Sequence, residues 1–403
     1  MNSGVEIWLW ILLVMTPYNP KSKEILDICG GDVEKAAKYI RDGECRILSD
    51  AERQRAQRIR SGDVRRVMEV CRENDIRIIT LDDEEYPLRL RVIHNPPIVL
   101  FVKGSFEGLD SEVSIAVVGT RSPDKYSVNA GKMICGQLTA VGTVIVSGLA
   151  VGLDSAAHRA CLDGGGRTIG VLACGMLVDY PVESHQLKED ILRSGGALVS
   201  ELLPFTHTSA SYFRYRNRII SGLCFGTLIL EASMRSGCLL TAEHTIEQGR
   251  DLFCIPPHDI TSARFSGVNS LLRDGAIPVF SYIDIVNQYL YTYIRSVDKF
   301  SLSPGIRLSD EDGKHKKSSA KKRPDPAPAE ETPAALPDES VLAALEAEER
   351  TVLELIAGKP SDIESVLGAT GMSHMDATSV LLNLELYGYI ELGMDGFYRL
   401  AKK

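Results

Sequence analysis

The spacing of apolar and polar positions divides the chain into stretches of different character. The first, "VEIWLWILLVM", is apolar on every side, and "KEILDICGGDVEKAAKYI" repeats apolar residues at helical intervals. The second pattern breaks at Gly30-Gly31 and leaves Asp32 placed to cap the helix that follows. "AERQRAQRIRSGDVRRVMEV" is mostly charged, and its arginines read as a solvated helix face. Residues 1–70 are therefore predicted to form a small helical domain that buries the opening segment. That segment is too short to span a bilayer, carries Glu6, and has neither a basic leading region nor an A-x-A site. It predicts neither a signal peptide nor membrane insertion.

Between residues 76 and 104, short β-branched runs flank Pro87, Pro96 and Pro97, which predicts an extended connector packed on the next domain. From Ser114 the pattern becomes apolar run, glycine turn, helix, repeated. The runs "SIAVVG", "TVIVSG", "TIGVLAC", "ALVSEL", "TLILEA", "DLFCIP" and "IPVF" are short and nearly continuous, as strands covered on both faces require. Their alternation with helices predicts an α/β fold over residues 71–295, a doubly wound, mostly parallel sheet of Rossmann-like type. Residues 296–340 mix proline, alanine, serine and charge without apolar period and predict a disordered linker. Residues 341–403 regain helical spacing in "EAEERTVLELIAG", "PSDIESVLGATG" and "SHMDATSVLLNLELYGYI". "IELGMDGFYRL" then reads as a hairpin turning at Asp395-Gly396, so this end is predicted to be winged-helix-like.

Composition narrows the function. The chain has 403 residues and a formal net charge of -9, which argues against coating nucleic acid indiscriminately but leaves room for one basic cleft. Nine cysteines make no C-x-x-C pair and predict reduced thiols in a cytoplasmic protein without a structural zinc site. Against this acidic background, "YFRYRNRIISG" sets Arg214, Arg216 and Arg218 at alternate positions around Tyr215 and Asn217. The acidic residues of 346–403, and a candidate recognition helix with no Lys or Arg, suit that tail to protein contact better than to phosphate.

Parallel sheets bind ligands at the carboxyl ends of their strands. Gly119, Thr120 and Arg121 follow the first strand of the repeat, Ser147 and Gly148 the second, and Arg235, Ser236, Gly237 and Thr241 the fifth. Glycine loops that open helices let backbone amides face an anion, so these loops form a candidate polyanion site with the arginines nearby. There is no G-x-G-x-x-G and no G-K-[ST], so no dinucleotide or ATP is assigned and no cofactor is expected. Asp154 and His158 lie four apart on one helix, but capping and packing explain them without chemistry, and no catalytic residue or metal ligand is assigned.

The segments "VSGLAVGLDSAAHRACLDGGGRTIGVLACG", "RNRIISG", "EASMRSGCLLTAEHTIEQGRDLFCIP" and "GVNSLLRDGA" resemble the DprA/Smf family of DNA-processing proteins over about residues 75–285. The resemblance implies an extended Rossmann-like domain that binds single-stranded DNA, and it is compatible with an N-terminal SAM- or helix-hairpin-like region. It implies a homodimer that loads the recombinase RecA during natural transformation, in company with single-strand-binding protein, and no enzymatic activity. Carried over by motif, the G-[ST]-R turn is Gly119, Thr120 and Arg121, and the R-N-R-I-I segment begins at Arg216, Asn217 and Arg218. Where some members carry a lysine after the Tyr-Pro pair, this chain has Val182, and Lys188 is the candidate to supply that charge. Dimer contacts are expected between residues 235 and 290, at apolar positions such as Leu239, Leu240, Leu271 and Leu272. The alternative reading is a Rossmann-type nucleotide-processing enzyme such as a phosphoribohydrolase, whose P-G-G-x-G-T-x-x-E signature is not found in the chain.

Overall fold

The computed structural model describes residues 3–289, 347–372 and 397–400, together with 377, 380, 381, 384 and 389–392. The chain forms two compact units, Met1–Leu308 and Ser309–Lys403. The expected linker at 296–340 lies outside the described residues, as does the Asp395-Gly396 turn.

The first unit opens with α1 (Ser3–Met15), α2 (Lys21–Ile28), α3 (Val33–Arg41), α4 (Asp50–Arg58) and α5 (Ser61–Glu73). Asp32 caps α3 by accepting the Lys35 amide at 3.0 Å, and Ser49 and Glu52 form a reciprocal capping box at α4. The apolar α1 is buried, and its core continues without a break into Val99 and Phe101 of the adjoining sheet. The division expected at residue 70 is therefore no gap in packing.

Nine strands make one sheet: β1 (Arg77–Thr80), β2 (Val99–Gly104), β3 (Ser114–Val118), β4 (Val144–Ser147), β5 (Thr168–Val171), β6 (Ala197–Ser200), β7 (Gly226–Ile229), β8 (Asp251–Cys254) and β9 (Ile277–Pro278). Their order is β1-β2-β6-β5-β4-β3-β7-β8-β9. All pairs are parallel except β1–β2 and β2–β6. The stretch expected to be a connector thus contributes an antiparallel edge to the sheet itself. Its prolines fall outside the strands, and the buried Tyr86 hydroxyl donates to Pro97 O at 2.8 Å, fixing the turn between them.

Between the strands lie α6 (Leu88–Arg91), α7 (Lys125–Ala140), α8 (Leu153–Asp163), α9 (His185–Arg193), α10 (Ala210–Gly222), α11 (Leu239–Glu247), α12 (Ser266–Arg273) and α13 (Tyr282–Val286). α7 and α8 pack Ile134, Leu138, Leu153 and Ala157 on Ile115, Val117 and Ile145 of one sheet face. α10, α11 and α12 pack Ile219, Ile220, Ala242 and Val268 on the other face, against Ala116, Val118 and Val146. Both faces are covered, which explains why β3 to β7 are buried along their whole length. The chain lays β4, β5 and β6 on one side of β3, then returns to place β7 on the other. The carboxyl ends of β3, β4 and β7 therefore border a topological switch point.

In the second unit, helices Ala347–Gly358 and Ile363–Thr370 precede an antiparallel pair, Ile390–Leu392 with Tyr398–Leu400. Val352, Leu353, Ile356, Val366, Leu381 and Leu384 form its core. Most of the expected third helix lies outside the described residues.

Candidate nucleic-acid cleft

The arginine triplet lies on a helix, not on an extended segment, and this separates its members. Residues two apart on a helix point about 200° apart. Arg214 is exposed, whereas Arg216 and Arg218 are 4% and 6% exposed and point to different partners. Arg216 crosses to the sheet edge, where its Nη1 donates to Gly148 O at 2.7 Å and Val171 O at 2.5 Å. Arg218 turns away from that edge and forks onto Glu201 at 2.8 and 2.9 Å, while its Nε donates to Asn95 O at 2.8 Å. Tyr18, from the segment between α1 and α2, closes over this pair. Its amide donates to Glu201 at 3.1 Å, and its ring stacks on Tyr215 at 5.0 Å. Arg218 therefore ties α10 to β6 and the N-terminal helices, and does not stand free to meet phosphate as expected.

A hollow of about 340 Å³ lies at the switch point. The loop after β3 supplies Gly119, Thr120 and Arg121, and the start of α8 supplies Asp154. α10 supplies Phe213, Arg214, Arg216 and Asn217, the loop after β7 supplies Ser236 and Gly237, and α11 supplies Thr241. The exposed Arg121 guanidinium sits over the Phe213 ring at 5.1 Å, and Phe213 meets Tyr180 edge-on at 5.9 Å. Beyond that pair is a second hollow of about 50 Å³, bordered by Gly148, Leu172 and Pro181.

The glycine loops bind an anion, but it is the chain's own. Asp154 is buried and accepts the Gly148 amide at 3.2 Å, and the nearby amides of Ala150 and Gly119 also favour its charged form. Burial raises its pKa, and Arg216 and those amides oppose the rise. The Thr120 amide is also taken, by Glu231 O at 3.0 Å. The Gly148 and Thr120 amides, expected to face a ligand, are thus satisfied internally, and the positive character of the cleft rests on Arg121, Arg214 and Arg216. The glycines serve close approach. A Cβ on Gly148 would lie 2.3 Å from Arg216 Nη1, and Gly152, at φ +97°, would place one 2.6 Å from Thr120 O.

Two family descriptions match this architecture: DNA recombination-mediator protein A over residues 77–290, and the DprA winged helix domain over residues 323–394. The chain belongs to the DprA family. It is 37% identical to the DNA processing protein DprA of Bacillus subtilis over 223 residues, covering 55% of this chain and 74% of that one. Identity to the DNA processing protein DprA of Streptococcus pneumoniae is 39% over 208 residues, covering 51% and 72%. The X-ray structure of DprA from Streptococcus pneumoniae superposes with a TM-score of 0.62 at 31% identity, covering 70% of this chain and 97% of that chain. The fold is that of a DprA protein, Rossmann-like with a winged helix at the carboxyl end.

The remaining expected DprA site residues divide. Ser236, Gly237, Thr241 and Asn217 line the cleft. Ser147 is buried and donates to Val117 O at 2.5 Å, tying β4 to β3. Arg235 is exposed and lies outside the lining. Lys188 is paired with Asp179 at 3.0 Å and borders neither hollow, so it does not replace the lysine that Val182 lacks. Sequence reasoning passed over Arg264. It donates to Ser122 O at 2.8 Å and to the buried Glu231 at 3.0 Å, and Glu231 also accepts the Asp124 amide at 3.0 Å. This pair holds the loop that carries Arg121. Its signal was position, since Arg264 follows β8 at the same sheet edge.

Asp154 and His158 do not bond to each other. The His158 Nδ1 lies 2.7 Å from Thr168 Oγ1, and burial, with Arg216 nearby, lowers its pKa to about 3. Among the described residues, no group of three or more His, Cys, Asp or Glu side chains is arranged to hold a metal ion. No described helix is long and apolar enough to cross a membrane. All nine cysteines are unpaired, and all but Cys29 are buried.

Proposed function

We propose that this DprA protein is a single-stranded DNA-binding recombination mediator that protects incoming DNA and loads RecA during natural transformation. It would act in the cytoplasm, as a homodimer, on strands that single-strand-binding protein also occupies. The observation that carries this reading is the convergence of Arg121, Arg214 and Arg216 on a hollow of about 340 Å³ at the switch point. A hollow of that size receives a nucleotide, whereas a duplex keeps its bases stacked inside and offers only its outer phosphates. Guanidinium binds phosphate through two donors at once, and Phe213 beside Arg121 supplies an aromatic surface for an unpaired base.

The same geometry supports binding rather than catalysis. The buried acid and histidine of the site, Asp154 and His158, are each held by other groups. For the dimer, the expected leucines are less suited than their neighbours. Leu239, Leu271 and Leu272 pack into the core and Leu240 lines the cleft, while Met234, Ile246, Ile260 and Phe280 are 59% to 76% exposed. A symmetric pair uses one surface twice, and joined clefts raise affinity through effective concentration.

The test is a RecA ATPase or strand-exchange assay on single strands precoated with single-strand-binding protein, with light scattering to give the mass. A dimer that shortens the recombinase lag is the expected result. A protein that binds DNA but leaves the lag unchanged would be a DNA-protecting factor and not a mediator.

A further inference from the structure

A second large hollow of the first unit lies in the N-terminal helices, away from the switch point. It measures about 820 Å³ and is formed by α1, α4, the end of α3 and the start of α5. A volume in this range is typical of ligand and peptide sites and far exceeds what a single ion fills. Its floor is apolar: Trp10, Leu48 and Val64 are buried there, and Ile7, Ala56 and Ile59 remain half-exposed along the walls. Its rim is cationic. Arg41 and Arg60 are exposed and Arg53 is half-buried, with Glu6 the one acidic residue of the lining. Among the described residues, none of these three arginines has an ion-pair partner within 4.0 Å. On a chain of net charge -9, this concentrates positive potential over an apolar hollow.

We propose that this cleft is a docking site for an acidic peptide segment of a partner protein, anchored by an apolar side chain on the floor and held by carboxylates at Arg41, Arg53 and Arg60. The geometry favours a peptide over a nucleic acid. Single strands bind through aromatic platforms on which bases stack. The one aromatic residue of this lining, Trp10, is 5% exposed, and the Arg41 guanidinium covers its ring at 4.4 Å. The half-exposed Ile7, Ala56 and Ile59 match an apolar anchor and have no counterpart on a phosphate backbone. An apolar groove with a charged rim is a common form of peptide recognition, in which the groove supplies affinity and the rim supplies specificity and orientation. The inference stands apart from the DNA reading, because the two hollows share no residue.

The test uses the full chain and a fluorescein-labelled synthetic peptide in which aspartates flank a single Leu-Phe pair. Fluorescence anisotropy should show saturable, salt-sensitive binding. Arg60→Glu and Arg53→Glu should each weaken it about tenfold and together more, while a peptide with lysines in place of aspartates should not bind. Arg41→Gln provides a second variant if a reversed charge disturbs the fold. Oligo-dT titrated onto the same preparations separates the two hollows. The peptide should persist on the protein in its presence, and Arg121→Ala should leave peptide binding unchanged. Displacement by oligo-dT, indifference to the Arg53 and Arg60 reversals, or no saturable binding would overturn the inference. A protein that binds the peptide but not oligo-dT would instead refute the DNA reading and leave this one intact.

Discussion

Arg218 and Glu201 join α10 to the end of β6 through hydrogen bonds of 2.8 and 2.9 Å, with their side chains only 7% and 4% exposed. Removing one partner of a buried ion pair leaves an uncompensated charge and costs about 3–5 kcal/mol. Glu201→Gln keeps the shape and removes the charge, so it should lower the unfolding free energy by about 3 kcal/mol. Urea denaturation checks this. Because α10 also carries Arg214 and Arg216, oligonucleotide binding should weaken in the same variant. A change below about 0.5 kcal/mol, the range of ordinary surface substitutions, would show that the pair does not hold the helix.

Arg121 and Arg216 should respond differently to truncation. Arg121 is exposed, so Arg121→Ala should weaken single-strand binding without shifting the melting temperature. Losing one phosphate contact lowers the slope of log affinity against log salt by about 0.7. Arg216 is 4% exposed and offsets the buried Asp154 carboxylate. Arg216→Ala should therefore reduce both binding and stability, and thermal melts run beside binding isotherms separate the two effects.

Gly148→Ala tests whether the position of Arg216, as distinct from its charge, matters. The added methyl would stand 2.3 Å from Arg216 Nη1 and push the guanidinium off Gly148 O and Val171 O. Affinity for a single strand should fall roughly tenfold, about 1.4 kcal/mol. Unchanged affinity would mean that Arg216 serves the sheet edge alone.

His158 sets a pH dependence. Burial lowers its pKa to about 3, below the ordinary 6.5. The folded protein keeps this imidazole neutral, so below 6.5 the unfolded chain binds a proton that the folded one refuses. Stability is thus lost as pH falls from 6.5 towards 3, by at most about 1.4 kcal/mol per pH unit from this group. Denaturation of the wild type and His158→Gln at pH 7 and pH 5 should show a smaller loss in the variant. Equal losses would assign the dependence to other groups.

The parallel strands β3 to β7 were legible because each is a short apolar run buried along its length, and glycines follow the carboxyl ends of β3 and β4 directly. β1 and β2 were not, because β2 joins the sheet by antiparallel pairing with the distant β6 and β1 only through β2, and flanking prolines made the segment read as a connector. The arginine cluster drew attention to α10, which borders the hollow at the switch point. Its alternate spacing suggested three equivalent cations, but helical geometry sends Arg216 to β4 and β5, Arg218 to Glu201, and leaves Arg214 outside. No local pattern announces Glu201 or Tyr18, which meet each other across 183 positions of chain. The loops read as anion-suited do bind an anion, and that the anion is Asp154 follows only from the fold.

The most direct test of the cleft is fluorescence anisotropy with labelled oligo-dT and a duplex of equal length, over a salt series, for the wild type and Arg121→Ala. The account predicts preference for the single strand, an affinity that falls with salt, and a slope shallower by about 0.7 in the variant. Equal affinity for the duplex, or a slope that Arg121→Ala leaves unchanged, would contradict it.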